Sequence, residues 1–80
     1  MARKTAGEKS IKLGLLVRQL RIEKRFTQEE FANYAGIDRS HHGKIERGES
    51  AISLEMLNLL AQKLGLKDWE LLKKLEESCK

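Results

Sequence analysis

Several side chains that can hydrogen-bond to nucleic-acid bases lie within a stretch of six residues in the middle of the chain. The guanidinium of Arg39 can bond two acceptors on a guanine edge at once, and Lys44 can reach the same acceptors or a phosphate. The hydroxyl of Ser40 can serve a base or a phosphate, and His41 follows directly. Gly43 has no side chain and would favour close approach of helix and DNA. On a helix that enters the major groove, these residues would read bases; the alternative is a solvated, charged helix face.

A second set of polar and basic residues flanks this stretch. Gln28 opens a predicted helix, where its backbone N–H and its side-chain amide can hold a phosphate. Its alternative role is that of an ordinary polar residue at a helix start. The other candidates for phosphate contacts are Lys24, Arg25, Thr27, Arg47 and Ser50.

Capping signals place these residues on two short helices. Thr27 and Glu30 form a T-x-x-E capping box, in which each side chain accepts a hydrogen bond from the other residue's backbone N–H. Gly36 suits the left-handed residue that ends such a helix. Asp38 can cap the next helix, which we expect over about residues 38–46.

The connection between the two helices is a sharp turn at Ala35-Gly36-Ile37. A small residue, Ala32, lies four positions before the turn glycine and lets the helices cross closely. Residues 27–50 therefore predict a helix-turn-helix, which presents its second helix to the major groove of DNA.

Three more helices complete a predicted all-α, five-helix domain. The first covers about residues 11–25 after a cap at Ser10, and its buried stripe is Leu13, Leu16, Val17 and Leu20. The fourth begins after Ser53 and closes at Gly65, and its buried face is Leu57, Leu60, Ala61 and Leu64. Residues 1–9 read as a flexible basic tail, and residues 10–80 as the folded domain.

The fifth helix covers about residues 69–78 after a cap at Asp68, with Trp69, Leu72 and Leu75 on one side. This terminal segment is more apolar than solubility requires. The surplus favours a dimer interface formed by Leu66, Trp69 and Leu72. Alternatively, these side chains close the core of the monomer, and they could do both.

Composition bounds the function. The 80 residues carry a net charge of +4, with +6 on residues 1–26 and −2 on residues 27–80, which favours a polyanionic partner. No run is long and apolar enough to span a membrane, and no signal peptide is visible, so we expect a cytoplasmic protein. The single Cys79 cannot form an internal disulfide or a zinc site.

Other chemistries find little support. His41 and His42 point about a third of a turn apart on a helix and have no accompanying cysteine or histidine, so we expect no metal site. We expect His42 to be partly buried and locally hydrogen-bonded. Glu46 ends the proposed DNA-facing helix, where it would repel phosphate, and Arg21 is its plausible salt-bridge partner. We find no nucleophile–base pair, phosphate loop or room for a pocket, and therefore expect no enzyme activity, cofactor or small-molecule ligand.

Residues 11–72 resemble the Cro/C1-type (Xre family) helix-turn-helix domain of phage repressors. The residues that fall in register are Arg21, Gln28, Ala32, Gly36, Ile45, Glu46, Arg47 and Gly48. The chain is also similar to the controller proteins of restriction-modification systems, whose sequences read much like Ile37-Asp38-Arg39-Ser40 at this point.

The resemblance implies a lambda-repressor-like domain that acts as a homodimer on a pseudo-palindromic DNA operator. It also implies an Arg21–Glu46 salt bridge, Gln28 at a phosphate, and base contacts from Arg39, Ser40, His41, Gly43 and Lys44. The chain departs from the family at His42, where an apolar residue is usual, and at Gly43, where a small or hydroxyl residue is usual. A competing hypothesis is an antitoxin-type protein-interaction module whose DNA binding is secondary.

Overall fold

The computed structural model describes residues 7–78, and these residues form five α-helices without a strand. The helices are α1 (Glu8–Glu23), α2 (Gln28–Ala35), α3 (Arg39–Glu46), α4 (Leu54–Lys63) and α5 (Asp68–Ser78). α1 packs against α3 and α5, α2 packs against α3 and α4, and α4 packs against α5. The predicted all-α, five-helix fold class is confirmed.

The helices enclose one apolar core. Its fully buried large apolar side chains are Val17, Phe31, Ile45, Leu60 and Leu71. The buried faces predicted for the first and fourth helices are confirmed, except that Leu20 is only partly buried. No helix within residues 7–78 has the length and apolar character needed to cross a bilayer.

The predicted helix-turn-helix forms through local capping. The hydroxyl of Thr27 accepts from the backbone N–H of Glu30 at 3.1 Å, and the Glu30 carboxylate accepts from the Thr27 N–H at 2.9 Å. Gly36 has the left-handed conformation, with φ 74° and ψ 29°, that makes glycine favourable there. The carboxylate of Asp38 accepts from the backbone N–H of His41 at 3.3 Å.

α1 begins earlier than predicted. Its N-cap is Gly7, and Ser10 lies inside the helix and does not cap it. Lys9 forms a 2.7 Å ion pair with Glu76 of α5, so a tertiary contact supports the added turn. The predicted tail therefore loses its last two residues to α1, and its first six lie outside the described residues.

α1 also ends earlier than predicted, at Glu23. Arg25 has a φ of 66°, an uncommon value for a residue other than glycine, and this conformation turns the chain away from the helix axis. The backbone N–H of Phe26 closes the turn on the carbonyl of Arg21 at 3.2 Å. A guanidinium N–H of Arg21 donates back to the Phe26 carbonyl at 2.7 Å.

The predicted cap at Ser53 is confirmed, whereas the predicted cap at Asp68 is wrong. Asp68 is the first residue of α5, and its carboxylate accepts from the side-chain amide of Asn58 at 2.9 Å. The residue before the helix is Lys67, and its backbone N–H donates to the Glu70 carboxylate at 2.8 Å.

The predicted face of α5 is also wrong in part. Leu71 and Leu75 are buried, while Trp69 and Leu72 are 61% and 44% exposed. Leu66 is partly buried against the core. Trp69 and Leu72 therefore do not close the core of the monomer.

Two glycines allow α1 to lie directly on the backbone of α3 and of the loop after it. A Cβ on Gly14 would lie 2.4 Å from the carbonyl oxygen of Ile45 and 2.6 Å from that of Glu46. A Cβ on Gly48 would lie 2.6 Å from the Cα of Ile11. Only the absence of side chains permits this approach.

The Glu46 carboxylate joins three helices. Arg21 of α1 donates to it at 2.6 and 3.1 Å, Gln28 of α2 donates at 3.0 Å, and His42 Nε2 lies 2.6 Å away. The predicted Arg21–Glu46 pair is present, and both residues are buried. Burial alone would raise the pKa of Glu46, but the hydrogen bonds from His42, Arg21 and Gln28 lower it from 4.5 to about 2.

His42 is fully buried, more deeply than predicted, beside the ring of Phe31 at a centroid distance of 5.2 Å. Because an ionised carboxylate only accepts hydrogen bonds, His42 Nε2 is the donor to Glu46. His42 Nδ1 has no hydrogen-bond partner among residues 7–78. Histidine thus takes the place of an apolar core residue.

We expect Gly14→Ala to destabilise the protein by about 2–4 kcal/mol, because the new methyl group would force α1 away from the α3 backbone. Urea unfolding followed by circular dichroism measures this loss. Gly43→Ala is the matched control in another helix, since its Cβ would meet only the flexible Arg47 side chain, at 3.1 Å. The control should be neutral or stabilising by up to about 1 kcal/mol. Equal effects of the two changes would show that close packing at Gly14 does not limit stability.

The low pKa of Glu46 predicts acid lability. A carboxyl group with a folded-state pKa of about 2 against 4.5 unfolded stabilises the protein above pH 4.5, and the stabilisation is lost as the pH falls from 4.5 towards 2. The shift corresponds to roughly 3 kcal/mol. The free energy of unfolding of wild type should therefore exceed that of Glu46→Gln at pH 7, and the difference should shrink through this window. Glu29→Gln, at an exposed carboxylate, is the control. A wild-type advantage over Glu46→Gln that is constant with pH would contradict the prediction.

Candidate nucleic-acid interface

The outer face of α3 carries most of the predicted base-reading side chains. Arg39, Ser40, His41 and Lys44 are all exposed. The opposite face holds the helix to the core through His42, Ile45 and Glu46. α3 therefore separates an anchored inner face from a polar outer face that can donate hydrogen bonds to an external acceptor.

A polar pocket of about 250 Å³ opens between the start of α2 and the side of α3. The structure brings together five of the predicted site residues here: Gln28, Arg39, Ser40, Gly43 and Arg47. His41 and Lys44 are exposed elsewhere on the helix. Two guanidinium groups, a hydroxyl and an amide give the pocket the chemistry of an anion site.

Gly43 lines the same pocket as Arg39 and Ser40, but its own surface is covered. Gly43 is buried, because the side chain of Arg47 folds back along α3 and covers it. The Arg47 Nη1 atom lies 3.1 Å from the position that a Gly43 Cβ would occupy. The missing side chain therefore makes room for a guanidinium of the protein itself.

Glu49 is a residue of this site that the sequence reasoning missed. Its carboxylate accepts from Arg47 Nε at 3.0 Å and from Nη2 at 3.3 Å. Gly48, with a φ of 73°, turns the chain so that the two side chains meet. The hydrogen bonds raise the pKa of Arg47 and lower that of Glu49. Opposite charges two residues apart across a glycine were the available signal.

The phosphate candidates differ in their present contacts. Gln28 is the first residue of α2, where helix geometry leaves its backbone N–H free, but its side-chain amide donates to Glu46. The Thr27 hydroxyl accepts the capping bond and retains its own proton for donation. Lys24 and Arg25 are exposed in the turn after α1, and Ser50 is half-buried in the loop after α3.

The two adjacent histidines lie in different surroundings. His41 is exposed, while His42 is buried and bonded to Glu46. Within residues 7–78, no group of three or more His, Cys, Asp or Glu residues is arranged to hold a metal ion.

Comparison with solved structures relates this arrangement to known proteins. The restriction-modification controller protein C.AhdI from Aeromonas hydrophila is 37% identical, with a TM-score of 0.75 over 81% of this chain and 98% of that one. The controller protein C.Esp1396I, solved as a tetramer with its natural 35-base-pair operator, is 25% identical. Its TM-score is 0.80, over 89% of this chain and 93% of that one.

Sequence comparison agrees. An HTH-type transcriptional regulator of Bacillus subtilis (strain 168), YqaF, itself uncharacterised, is 43% identical over 49 residues, which are 61% of this chain. The match spans 63% of that relative, a little under two thirds of its length. The helix-turn-helix family model HTH_3 matches residues 17–72, most of the chain. The chain therefore belongs to the Cro/C1-type helix-turn-helix family of DNA-binding transcription regulators, and its structure is similar to those of restriction-modification controller proteins.

Proposed function

We propose that the protein regulates transcription by placing α3 in the major groove of a specific DNA operator. The observation that carries this proposal is the division of α3 into two faces, with Arg39, Ser40, His41 and Lys44 exposed and the opposite side held to the core. A helix anchored in this way offers its donors in a fixed orientation, and sequence readout requires such an orientation.

Base readout is assigned first to Arg39, whose guanidinium can bond two acceptors of one guanine. Ser40, His41 and Lys44 act as further base-contacting groups. Gly43 contributes by bringing the α3 backbone and the covering Arg47 side chain to the groove edge. The pocket that joins Arg39, Ser40 and Arg47 supports this assignment.

Phosphate contacts come from residues around the helix. Gln28 offers a backbone N–H at the start of α2 and the second proton of an amide that Glu46 already orients. Arg47 adds a positive charge at the end of α3. Lys24, Arg25, Thr27 and Ser50 extend the contacts along the backbone, and such contacts fix the register of the protein on DNA.

The protein acts as a homodimer through the outer face of α5. Trp69 and Leu72 are large, apolar and exposed. Leu66, which precedes them in the sequence, is partly buried. Leu72 also lines an apolar groove of about 260 Å³ together with Ile52 and Leu54. The side chain of Leu54 is 82% exposed. A second copy would cover this surface and pair two α3 helices for a pseudo-palindromic site.

The specific biological role proposed is that of a restriction-modification controller. C.AhdI supports it, because this chain covers 98% of that controller at 37% identity. A neighbouring gene for a restriction enzyme or methyltransferase supports this role, whereas a neighbouring toxin gene favours the antitoxin alternative.

The base-reading assignment is tested by selecting bound sequences from a random DNA pool and then measuring affinities for the selected operator. We expect Arg39→Ala to lose about 1–3 kcal/mol of binding free energy on the operator and to relax the preference at one base pair. Arg18→Ala, at an exposed arginine of α1, is the matched control and should keep the operator preference. Equal losses on operator and random DNA would show that Arg39 contacts only phosphate.

The dimer assignment is tested by sedimentation at micromolar concentration. We expect Leu72→Glu to shift the protein from dimer to monomer, because a buried, unpaired carboxylate at the interface is costly. Leu15→Glu is the matched control, since Leu15 is 56% exposed on α1 and should leave the dimer intact. A Leu72→Glu protein that stays dimeric would remove α5 from the interface.

A further inference from the structure

The Arg47–Glu49 ion pair lies at the proposed DNA face and is not part of the core. Its side chains are 55% and 53% exposed, and it spans a single turn of the chain at Gly48. The backbone N–H of Glu49 donates to the Lys44 carbonyl at 2.9 Å, so the loop that carries the carboxylate is tied to α3. The pair therefore has a defined position beside the helix that would enter the groove.

The pair restricts what Arg47 can do. Glu49 occupies Nε and Nη2, while Nη1 lies against Gly43. Holding two of its three nitrogens in this way favours one orientation of the guanidinium. A free arginine on an exposed loop could instead follow the phosphates of any DNA in any register.

The carboxylate also has an electrostatic effect. Phosphate contacts supply most of the affinity for DNA that does not depend on sequence. Glu49 offsets the charge of Arg47, and it also attracts Lys44 of α3. A carboxylate in this position thus opposes the binding of any phosphate that approaches without a compensating contact.

We propose that Glu49 is a specificity-determining residue, which holds Arg47 over Gly43 and so suppresses binding to DNA of unrelated sequence. This inference rests on the proposed function. On the operator, where α3 is seated in one register, the oriented Arg47 is already in place and loses little by the pairing. On random DNA, where the register varies, the pairing withholds one phosphate contact.

The experiment compares wild type and Glu49→Gln on the selected operator and on a random duplex of the same length, over a series of salt concentrations. We expect the affinity for random DNA to rise roughly three- to tenfold at low salt, with a salt slope steeper by about 0.9, the value for one added phosphate contact. The operator affinity should change less than about twofold, so the ratio of operator to random affinity falls. Thermal unfolding should be nearly unchanged, because both side chains are exposed.

Two controls isolate the pair. Glu29→Gln removes the same charge from an exposed residue of α2 and should leave the affinity ratio unchanged. In an Arg47→Gln background, Glu49→Gln should no longer raise random-DNA affinity, because the group that it restrains is gone. An equal effect in both backgrounds would reduce the role of Glu49 to its net charge and overturn the proposal.

The remaining outcomes are distinct. Equal gains on operator and random DNA, or a loss on the operator, would overturn the role of Glu49 while leaving the proposed function intact. A wild-type protein that selects no preferred sequence from the pool would overturn both.

Discussion

The arrangement of the first three helices depends on one buried carboxylate that must stay ionised. Glu46 has little water around it, and its charge is stabilised by donors from three helices: Arg21, Gln28 and His42. α3 has eight residues, too few for a helix that is stable alone in water. Its position is therefore imposed by tertiary contacts, and the carboxylate is the polar part of that constraint. Removing one partner from a buried ion pair of this kind is strongly destabilising, because it leaves the other charge buried and unpaired.

Close packing and charge pairing act together in this region. Gly14 lets α1 lie on the carbonyls of Ile45 and Glu46, and this proximity brings Arg21 within reach of the Glu46 carboxylate. Arg21 also donates to the carbonyl of Phe26, so the same guanidinium fixes the turn that leads into α2. One arginine thus joins the end of α1, the start of the helix-turn-helix and the end of α3.

The features that the sequence predicts well are local ones. Thr27, Gly36 and Asp38 act on their own backbone within a few residues, so spacing alone identifies them. The Arg21–Glu46 pair joins residues 25 positions apart, and its prediction depended on an acidic residue at a DNA-facing position and on a resemblance to a family. The predictions that were wrong concerned features that depend on contacts between helices. The α1–α5 ion pair moved the start of α1, and the bond from Asn58 occupied the expected cap at Asp68.

In the candidate site, too, the sequence predicts some features and not others. Exposed donors on α3 could be placed from helical periodicity, whereas the burial of Gly43 depended on where a flexible arginine side chain settles. The pairing of Arg47 with Glu49 depended in turn on the left-handed turn at Gly48. The orientation of a surface side chain depends on its rotamer and on the local backbone conformation, and neither can be read from the spacing of residues in the sequence.

The separation of the two faces of α3 has an evolutionary consequence. The side chains of Arg39, Ser40 and His41 form no hydrogen bond or ion pair within residues 7–78, so their replacement should cost the fold little. Selection can therefore exchange them freely while Glu46, Arg21 and Gly14 hold the scaffold constant. Descendants of one ancestral chain could then diverge in the sites they recognise without passing through unstable intermediates.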